Sequence, residues 1–280
     1  NRSSNQLVGI PLPGTTGFTS INANLNATVQ NQGIEITLHT ENYSNKNFRW
    51  SSTFDISSAS NQLISFPGLE GSTYVNRYVV GQPVSIAKVY QSLGVNPQTG
   101  LFEVADLNGD GVITSAGDKQ YVVDLTPQYF GGLQNQVKYK QFQLDFLFQF
   151  VKQQAYNYTP GVANGTFFNQ SADFVNAWQQ AGDVAPYQMN TSGANSAAVT
   201  AFSRFADSNA MIVDGSYIRL KNISLSYDLP LKAKNISCKL FMQGQNVLTF
   251  TNYKGGDPEF RNTGYLPPLR VLTGGIQLSF

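Results

Sequence analysis

Apolar and polar residues alternate with period two through much of the chain, the spacing of a strand with two different faces. Ile34, Ile36 and Leu38 share one face, and Glu35, Thr37 and His39 the other. Phe48, Trp50, Phe54 and Ile56 follow on one face, with Ser52 as the weak position, against Arg49, Ser51, Thr53 and Asp55. The polar stretch 41–46 between them reads as a turn, so 34–56 predicts a β-hairpin. A second hairpin is predicted over 133–150, turning at Lys140-Gln141. Phe142, Leu144, Phe146, Phe148 and Phe150 share one face of its second strand; Gln141, Gln143, Asp145, Leu147 and Gln149 share the other. Further strands are predicted at 215–228, 237–250 and 269–280, with weaker ones at 74–80 and 84–90. That makes about eight, several of them at the roughly 9–11 residues that a tilted membrane strand needs.

Long stretches without periodicity separate these strands, at 57–72, 92–130, 152–214 and 252–268. They predict one short helix, 172–180. The turns at Lys140-Gln141 and Leu229–Lys232 are short by contrast. Outer-membrane barrels show this asymmetry, with short periplasmic turns and longer extracellular loops. An immunoglobulin-like sandwich spaces its turns more evenly. The contrast of faces at 141–150 fits either a soluble sandwich or a barrel wall with lipid on one side and a wet lumen on the other. At the end of the chain Leu272, Gly274, Ile276, Leu278 and Phe280 share a face, opposite Gly275, Gln277 and Ser279. A terminal aromatic after alternating apolar residues resembles the assembly signal of bacterial outer-membrane barrels. Such a strand is recognised by its free edge before closure, and its aromatic sits at the interface girdle.

Composition narrows the choice. Charged residues are 12% of the chain, against about 25% in ordinary soluble domains. Aromatics also reach 12%. A net charge of +1 gives no basic footprint for nucleic acid. No apolar run approaches the roughly 18 residues of a spanning helix. The single cysteine, Cys238, excludes a disulfide framework, and its alternation with Leu240 and Met242 gives it a small apolar role. The single histidine, His39, lies on a polar strand face. No nucleophile elbow, phosphate loop or zinc motif occurs, and Glu70, Asp173 and Asp183 are scattered, so an enzyme is not expected. The chain opens at Asn1 with neither Met nor a signal-peptide pattern, which predicts a segment of a longer or processed polypeptide.

One loop carries metal-binding chemistry. Residues 106–114 match the first nine positions of an EF-hand calcium loop. Oxygen ligands would come from Asp106, Asn108, Asp110, the Val112 carbonyl and Thr114, with Gly111 at the sharp turn and Ile113 anchoring the loop. The twelfth position is Gly117, and Asp118 stands one residue late, so its carboxylate needs a local bulge to reach the ion. The expectation is a structural Ca²⁺ or Mg²⁺; the alternative is an Asx-rich turn without metal. Loop aromatics, Tyr156, Tyr158, Phe167, Phe168, Trp178 and Tyr187, suit either sugar stacking or small loop cores.

Several segments, in order, resemble the SusC/RagA family of TonB-dependent transporters of Bacteroidetes outer membranes. They are Gln32-Gly-Ile-Glu-Ile36, Asp106–Gly111, Pro127-Gln-Tyr-Phe-Gly-Gly132 entering the 133–150 hairpin, Asp214–Pro230, Gly244–Glu259 and Leu269–Phe280. The resemblance implies an all-β fold: residues 1–280 would be the C-terminal part of a large antiparallel transmembrane β-barrel with long extracellular loops. Such transporters have 22 strands around a plugged lumen, so the plug would lie outside this chain. The implied partners are a SusD-like surface lipoprotein, TonB through an N-terminal region, the remainder of the barrel, a second transporter copy, and an oligosaccharide or peptide substrate. An open slab of strands would leave two unpaired edges in hydrocarbon, which also requires further strands. Two other readings stay open: a secreted calcium-binding β-sandwich that binds carbohydrate or acts as an adhesin, and an eight-stranded stand-alone barrel.

Overall fold

The computed structural model describes residues 1–11, 14–157, 163–166, 169–170, 172–231, 236–260 and 266–280. Tyr158, Phe167, Phe168 and Lys232 lie outside these described residues. Eight strands form the main sheet: β1 (Arg2–Pro11), β2 (Ser20–Ser44), β3 (Phe48–Ser65), β4 (Tyr129–Tyr139), β5 (Phe142–Lys152), β6 (Tyr217–Leu229), β7 (Ser237–Thr251) and β8 (Val271–Ser279). Their spatial order is their chain order. The pairings described are antiparallel. The chain divides into two compact units, one of Asn1–Gln32, Asn61–Thr126 and Tyr156–Val213, the other of Gly33–Ser60, Pro127–Ala155 and Asp214–Phe280.

In the second unit the register aligns the apolar positions into rows that cross the sheet. Partners directly opposite share a face. One row joins Phe48, Tyr139, Phe142, Tyr227, Leu240 and Ile276. The next joins Trp50, Val137, Leu144, Leu225, Met242 and Gly274, and a third Ser52, Asn135, Phe146, Ile223, Gly244 and Leu272. Phe54, Leu133, Phe148, Leu220 and Leu248 make the fourth; Ile56, Gly131, Phe150, Ile218 and Phe250 the fifth. The opposite face carries rows such as Ser51, Gln136, Asp145, Ser224, Gln243 and Thr273. Met242 is 69% exposed, Leu272 74% and Ile276 67%, so this apolar face is not the core of the chain. Five rows two residues apart, at about 3.4 Å per residue, run about 27 Å along the strands, and tilt brings that near the height of an outer-membrane apolar band.

Two local features keep this face intact. Ser52, the weak position in the alternation, donates to Asn135 Oδ1 at 2.6 Å, and the Trp50 indole N–H donates to the same oxygen at 2.9 Å. Asn42 Nδ2 in turn donates to Ser52 Oγ at 2.6 Å. The polar interruption is thus hydrogen-bonded within itself, which removes most of the cost of placing it among apolar side chains. Gly131 makes room for Phe150, which stacks on Phe54 with ring centroids 5.9 Å apart. A Cβ at Gly131 would lie 2.7 Å from Phe150 Cζ and would collide with the Asp55 carbonyl oxygen.

The first unit builds a core of its own. Phe102, Ala163, Ala201 and Phe202 are buried, with Val95, Leu101, Tyr187, Phe205 and Ala206 packed around them. Phe102 and Phe205 stack with centroids 3.7 Å apart. Helix α1 (Ser196–Ala206) supplies Ala198, Ala201, Phe202 and Phe205 from one stripe, and the Asn195 side chain caps it by accepting from Ala198 N–H. Gln188, fully buried, donates to the Ala198 carbonyl at 2.8 Å and so ties a loop to the helix. Two small antiparallel pairs complete the unit: Ile86–Val89 with Tyr121–Asp124, and Ser92–Val95 with Phe102–Val104.

Four expectations change. The strands expected at 34–40 and 48–56 are the middle of β2 and the first half of β3, and β1 was not expected at all. The weak strand at 74–80 is a series of turns, with Arg77 and Tyr78 N–H both donating to the Tyr74 carbonyl and the Tyr74 and Tyr78 rings stacked four residues apart. The strand near 84–90 exists as Ile86–Val89 but belongs to a small sheet. The helix expected at 172–180 is only a 3₁₀ turn, Ala172–Asn176, because Trp178 N–H is drawn to the Tyr187 carbonyl instead. Gly131→Val should destabilise the wall by about 1–3 kcal/mol through overpacking; heat-modifiable mobility on gels and urea titration of the folded band would measure it.

Candidate functional site

The loop 106–118 closes on itself through its carboxylates. Asp106 Oδ1 and Oδ2 accept the N–H groups of Gly109 and Gly111, at 2.7 and 2.8 Å. Gly111 has φ 78°, the left-handed backbone that the expected sharp turn requires. Asp110 Oδ1 accepts from Val112 N–H and its Oδ2 from Asn108 Nδ2, both at 2.8 Å. Thr114 caps a one-turn helix, Ser115–Asp118, by accepting from Gly117 N–H. That turn, rather than a bulge, carries Asp118 back to the start of the loop. Asp118 is fully buried and accepts the N–H of Leu107 and of Thr114, each at 2.7 Å. The Thr114 N–H holds its carboxyl below the usual carboxylate range, against the opposing effect of burial, and Asp106 lies within hydrogen-bonding reach. Two carboxylates therefore meet. Asp110 instead turns to its own loop, Val112 is 61% exposed, and among the described residues no three His, Cys, Asp or Glu side chains form a metal cluster. Ile113 is half-buried, and its carbonyl accepts from Arg204 of α1 at 3.0 Å.

The polar face of the sheet carries a charged cluster that the alternation did not single out. Arg219, 1% exposed, lies in a row with Asp55, Gly132, Gln149 and Thr249. Its guanidinium donates to Asp257 and Glu259, each at 2.6 Å, and to Thr249 Oγ1 at 3.0 Å. Lys221 donates to both oxygens of Glu259 at 2.9 Å. Gln153 Nε2 donates to the Pro258 carbonyl at 2.8 Å and to that of Gly215 at 3.2 Å. Two chain segments, Tyr217-Ile-Arg-Leu-Lys221 and Gly255-Gly-Asp-Pro-Glu259, are thereby one structural piece. The signal was present in the sequence as two bases in one motif and two acids in another, within a charge-poor chain.

The other residues picked from the sequence take structural places. His39 Nδ1 lies 3.0 Å from Thr53 Oγ1, on the polar face. Cys238 is a half-buried thiol opposite Leu229 and Leu278. Trp178 fills the space over Gly100, and its indole donates to the Pro97 carbonyl at 2.9 Å. Tyr187 packs edge-on against Phe174, centroids 4.8 Å apart. Tyr156 is half-buried; burial first, then Asp207, raises its hydroxyl above the ordinary tyrosine range.

An antiparallel wall with an apolar band on one face and a polar, charge-bearing face on the other defines the class: a wall of an outer-membrane-type β-barrel. No family model matches the sequence. The chain is 30% identical to TonB-dependent receptor P3 of Formosa agariphila over 320 residues, covering 96% of this chain and 30% of that receptor. It is 22% identical to the TonB-dependent receptor SusC of Bacteroides thetaiotaomicron, covering 100% of this chain and 29% of SusC. Its fold matches the RagAB peptide transporter with a TM-score of 0.79 at 23% identity, covering 100% of this chain and 32% of that one. The chain is SusC/RagA-like and spans about a third of the length of the TonB-dependent receptors it matches. Arg219→Met should cost about 3 kcal/mol, because it strands Asp257 and leaves Glu259 to Lys221 alone; faster cleavage of segment 252–260 in limited proteolysis of the folded protein would register it.

Proposed function

We propose that this chain is the C-terminal part of an outer-membrane transporter that imports a nutrient, oligosaccharide or peptide, by TonB-driven movement of a plug within its lumen. A SusD-like surface lipoprotein would receive the nutrient and pass it to the barrel. The observation that carries this reading is the pair of faces: five apolar rows on one side of the wall, and on the other amides, hydroxyls and the buried Arg219 cluster. A soluble sandwich would cover such an apolar face with a second sheet; here Met242, Leu272 and Ile276 stay more than three-fifths exposed. The similarity to TonB-dependent receptors over nearly the whole chain supports the same reading. In the intact protein, uptake of a labelled oligosaccharide or peptide into cells should stop when TonB is deleted. The barrel should also partition into detergent and migrate differently with and without boiling. A monodisperse protein in plain buffer would point instead to the secreted module.

We further propose that the loop 106–118 holds a structural Ca²⁺ or Mg²⁺. Asp106 and Asp118 would supply the charge, and Asn108, Asp110, Thr114 and the Val112 carbonyl the remaining oxygens. The support is the donor set: Asp106, Asn108, Asp110 and Thr114 hold the ligand positions of a calcium loop that turns at Gly111, and the Ser115–Asp118 turn brings Asp118 back to Leu107 at the start of the loop. The ion would order the loop and, through the bond from Arg204 to Ile113, its attachment to α1. Asp110→Ala removes an exposed ligand and leaves the buried Asp118 in place. Calorimetry on the intact protein should show calcium binding that this substitution weakens or abolishes; unchanged affinity would count against the site.

A further inference from the structure

At the fifth apolar row the wall carries a hollow of about 450 Å³. Its floor is apolar: Phe150, Ile218 and Phe250, the last two 49% and 58% exposed. Its rim is polar: Tyr129, Lys152, Asp214 and Ser216. Tyr129 and Lys152 are cross-strand partners in the row after Gly131 and Phe150, so floor and rim lie on the same face of the sheet. The hollow therefore straddles the end of the apolar band, at the strand ends away from the short Lys140-Gln141 turn. In a barrel with short periplasmic turns this is the outer-leaflet edge, where aromatic girdles and lysine ammonium groups reach the headgroups.

The rim chemistry selects among headgroups. Lys152 Nζ donates to Asp214 Oδ2 at 2.9 Å, and Asp214 Oδ1 accepts Ser216 N–H at 2.9 Å. The Ser216 hydroxyl, then Lys152, bring the Asp214 carboxyl down to about 2, so it stays an acceptor at neutral pH. One ammonium faces one carboxylate, and the rim is neutral. Anionic headgroups are held by clusters of bases, which this rim lacks among the described residues. A neutral rim that offers both donors and acceptors, beside the Tyr129 ring, matches a hydroxyl-rich headgroup. An ammonium has three donors, of which Asp214 takes one.

We propose that this hollow seats a glycolipid of the outer leaflet, its acyl chain on Phe150, Ile218 and Phe250 and its sugar hydroxyls on Lys152, Asp214 and Tyr129. The assignment rests on the wall being embedded in lipid, as proposed above. The intact receptor, delipidated in a sugar-free detergent, would be offered monogalactosyl diacylglycerol, phosphatidylcholine and phosphatidylglycerol with matched acyl chains. Retained lipid would be counted by native mass spectrometry. Galactolipid should be retained about tenfold over either phospholipid, and Lys152→Leu and Phe250→Ala should each abolish that preference without changing heat-modifiable mobility. Both positions are exposed, so the variants keep the fold. Equal retention of the three lipids, a preference for phosphatidylglycerol, or a galactolipid preference that survives Lys152→Leu would overturn the assignment and leave the transporter reading standing. A receptor that does not enter detergent micelles or bilayers would overturn both.

Discussion

Inside hydrocarbon a strand has no water to satisfy its N–H and C=O groups, so they must all be satisfied sideways by neighbouring strands. The rest of this structure depends on that constraint. A continuous ladder fixes the register, and with a side-chain period of two a slip of one residue would turn every apolar side chain from one face to the other. The alignment from Phe54 through Leu133 and Phe148 to Leu220 and Leu248 is therefore a single condition on the sheet. The one break in β6, between Leu220 and Asn222, occurs against both neighbours at the same place, so the rows resume on the same faces beyond it.

The same constraint sorts the charges. A face of Phe, Leu and Ile leaves no place for them, so Arg219, Lys221, Asp257 and Glu259 gather on the polar side and neutralise one another there. Arg219 is nearly inaccessible, and such a charge is tolerated only with close partners; it has two carboxylates and a hydroxyl. The cluster also turns a loop into part of the wall, since segment 252–260 is held by side chains of β6 rather than by a ladder of its own. Around Phe102 and Phe202 the first unit obeys ordinary rules. It buries Phe102 and Phe202 in a small core and uses a capped helix, as a water-soluble domain does.

How much of this could be read from the chain alone follows from how strongly each residue's environment marks its sequence. The parity of 48–56 and 133–150 was legible because every second position there meets an apolar surroundings and the others do not. Ser52 stood out as weak for a physical reason, its bond to Asn135. The first half of β2 and all of β1 were not legible: Asn22, Asn24 and Asn26 alternate with residues such as Ile21, itself 52% exposed, and the pairing is held by the ladder between the two strands. The helix at 196–206 was hidden in an Ala- and Ser-rich stretch whose apolar stripe rests on two phenylalanines, Phe202 and Phe205. In the loop at 106–118 the turn glycine was foreseen, but neither the acceptance of the Gly109 and Gly111 N–H groups by Asp106 nor the return of Asp118 by a helical turn was, because one residue of offset is read differently in a turn and in a strand.

The ends of the band are marked by aromatics, and the middle by the opposite. Phe48, Tyr139, Phe142 and Tyr227 stand in the first row, Phe150 and Phe250 in the last, and Tyr129 just beyond it. Of these, Tyr139, Tyr227 and Tyr129 carry the hydroxyl edge that belongs where hydrocarbon meets headgroups. The central row instead holds Ser52 and Asn135, the serine and amide side chains of the five rows, beside Phe146 and Ile223. There an unpaired amide would be most expensive, and there the bonds from Trp50 and Ser52 converge on one oxygen of Asn135, which is 6% exposed. The indole at the adjacent row thus covers the amide while bonding it, so that the wall presents hydrocarbon to lipid even where its sequence is polar.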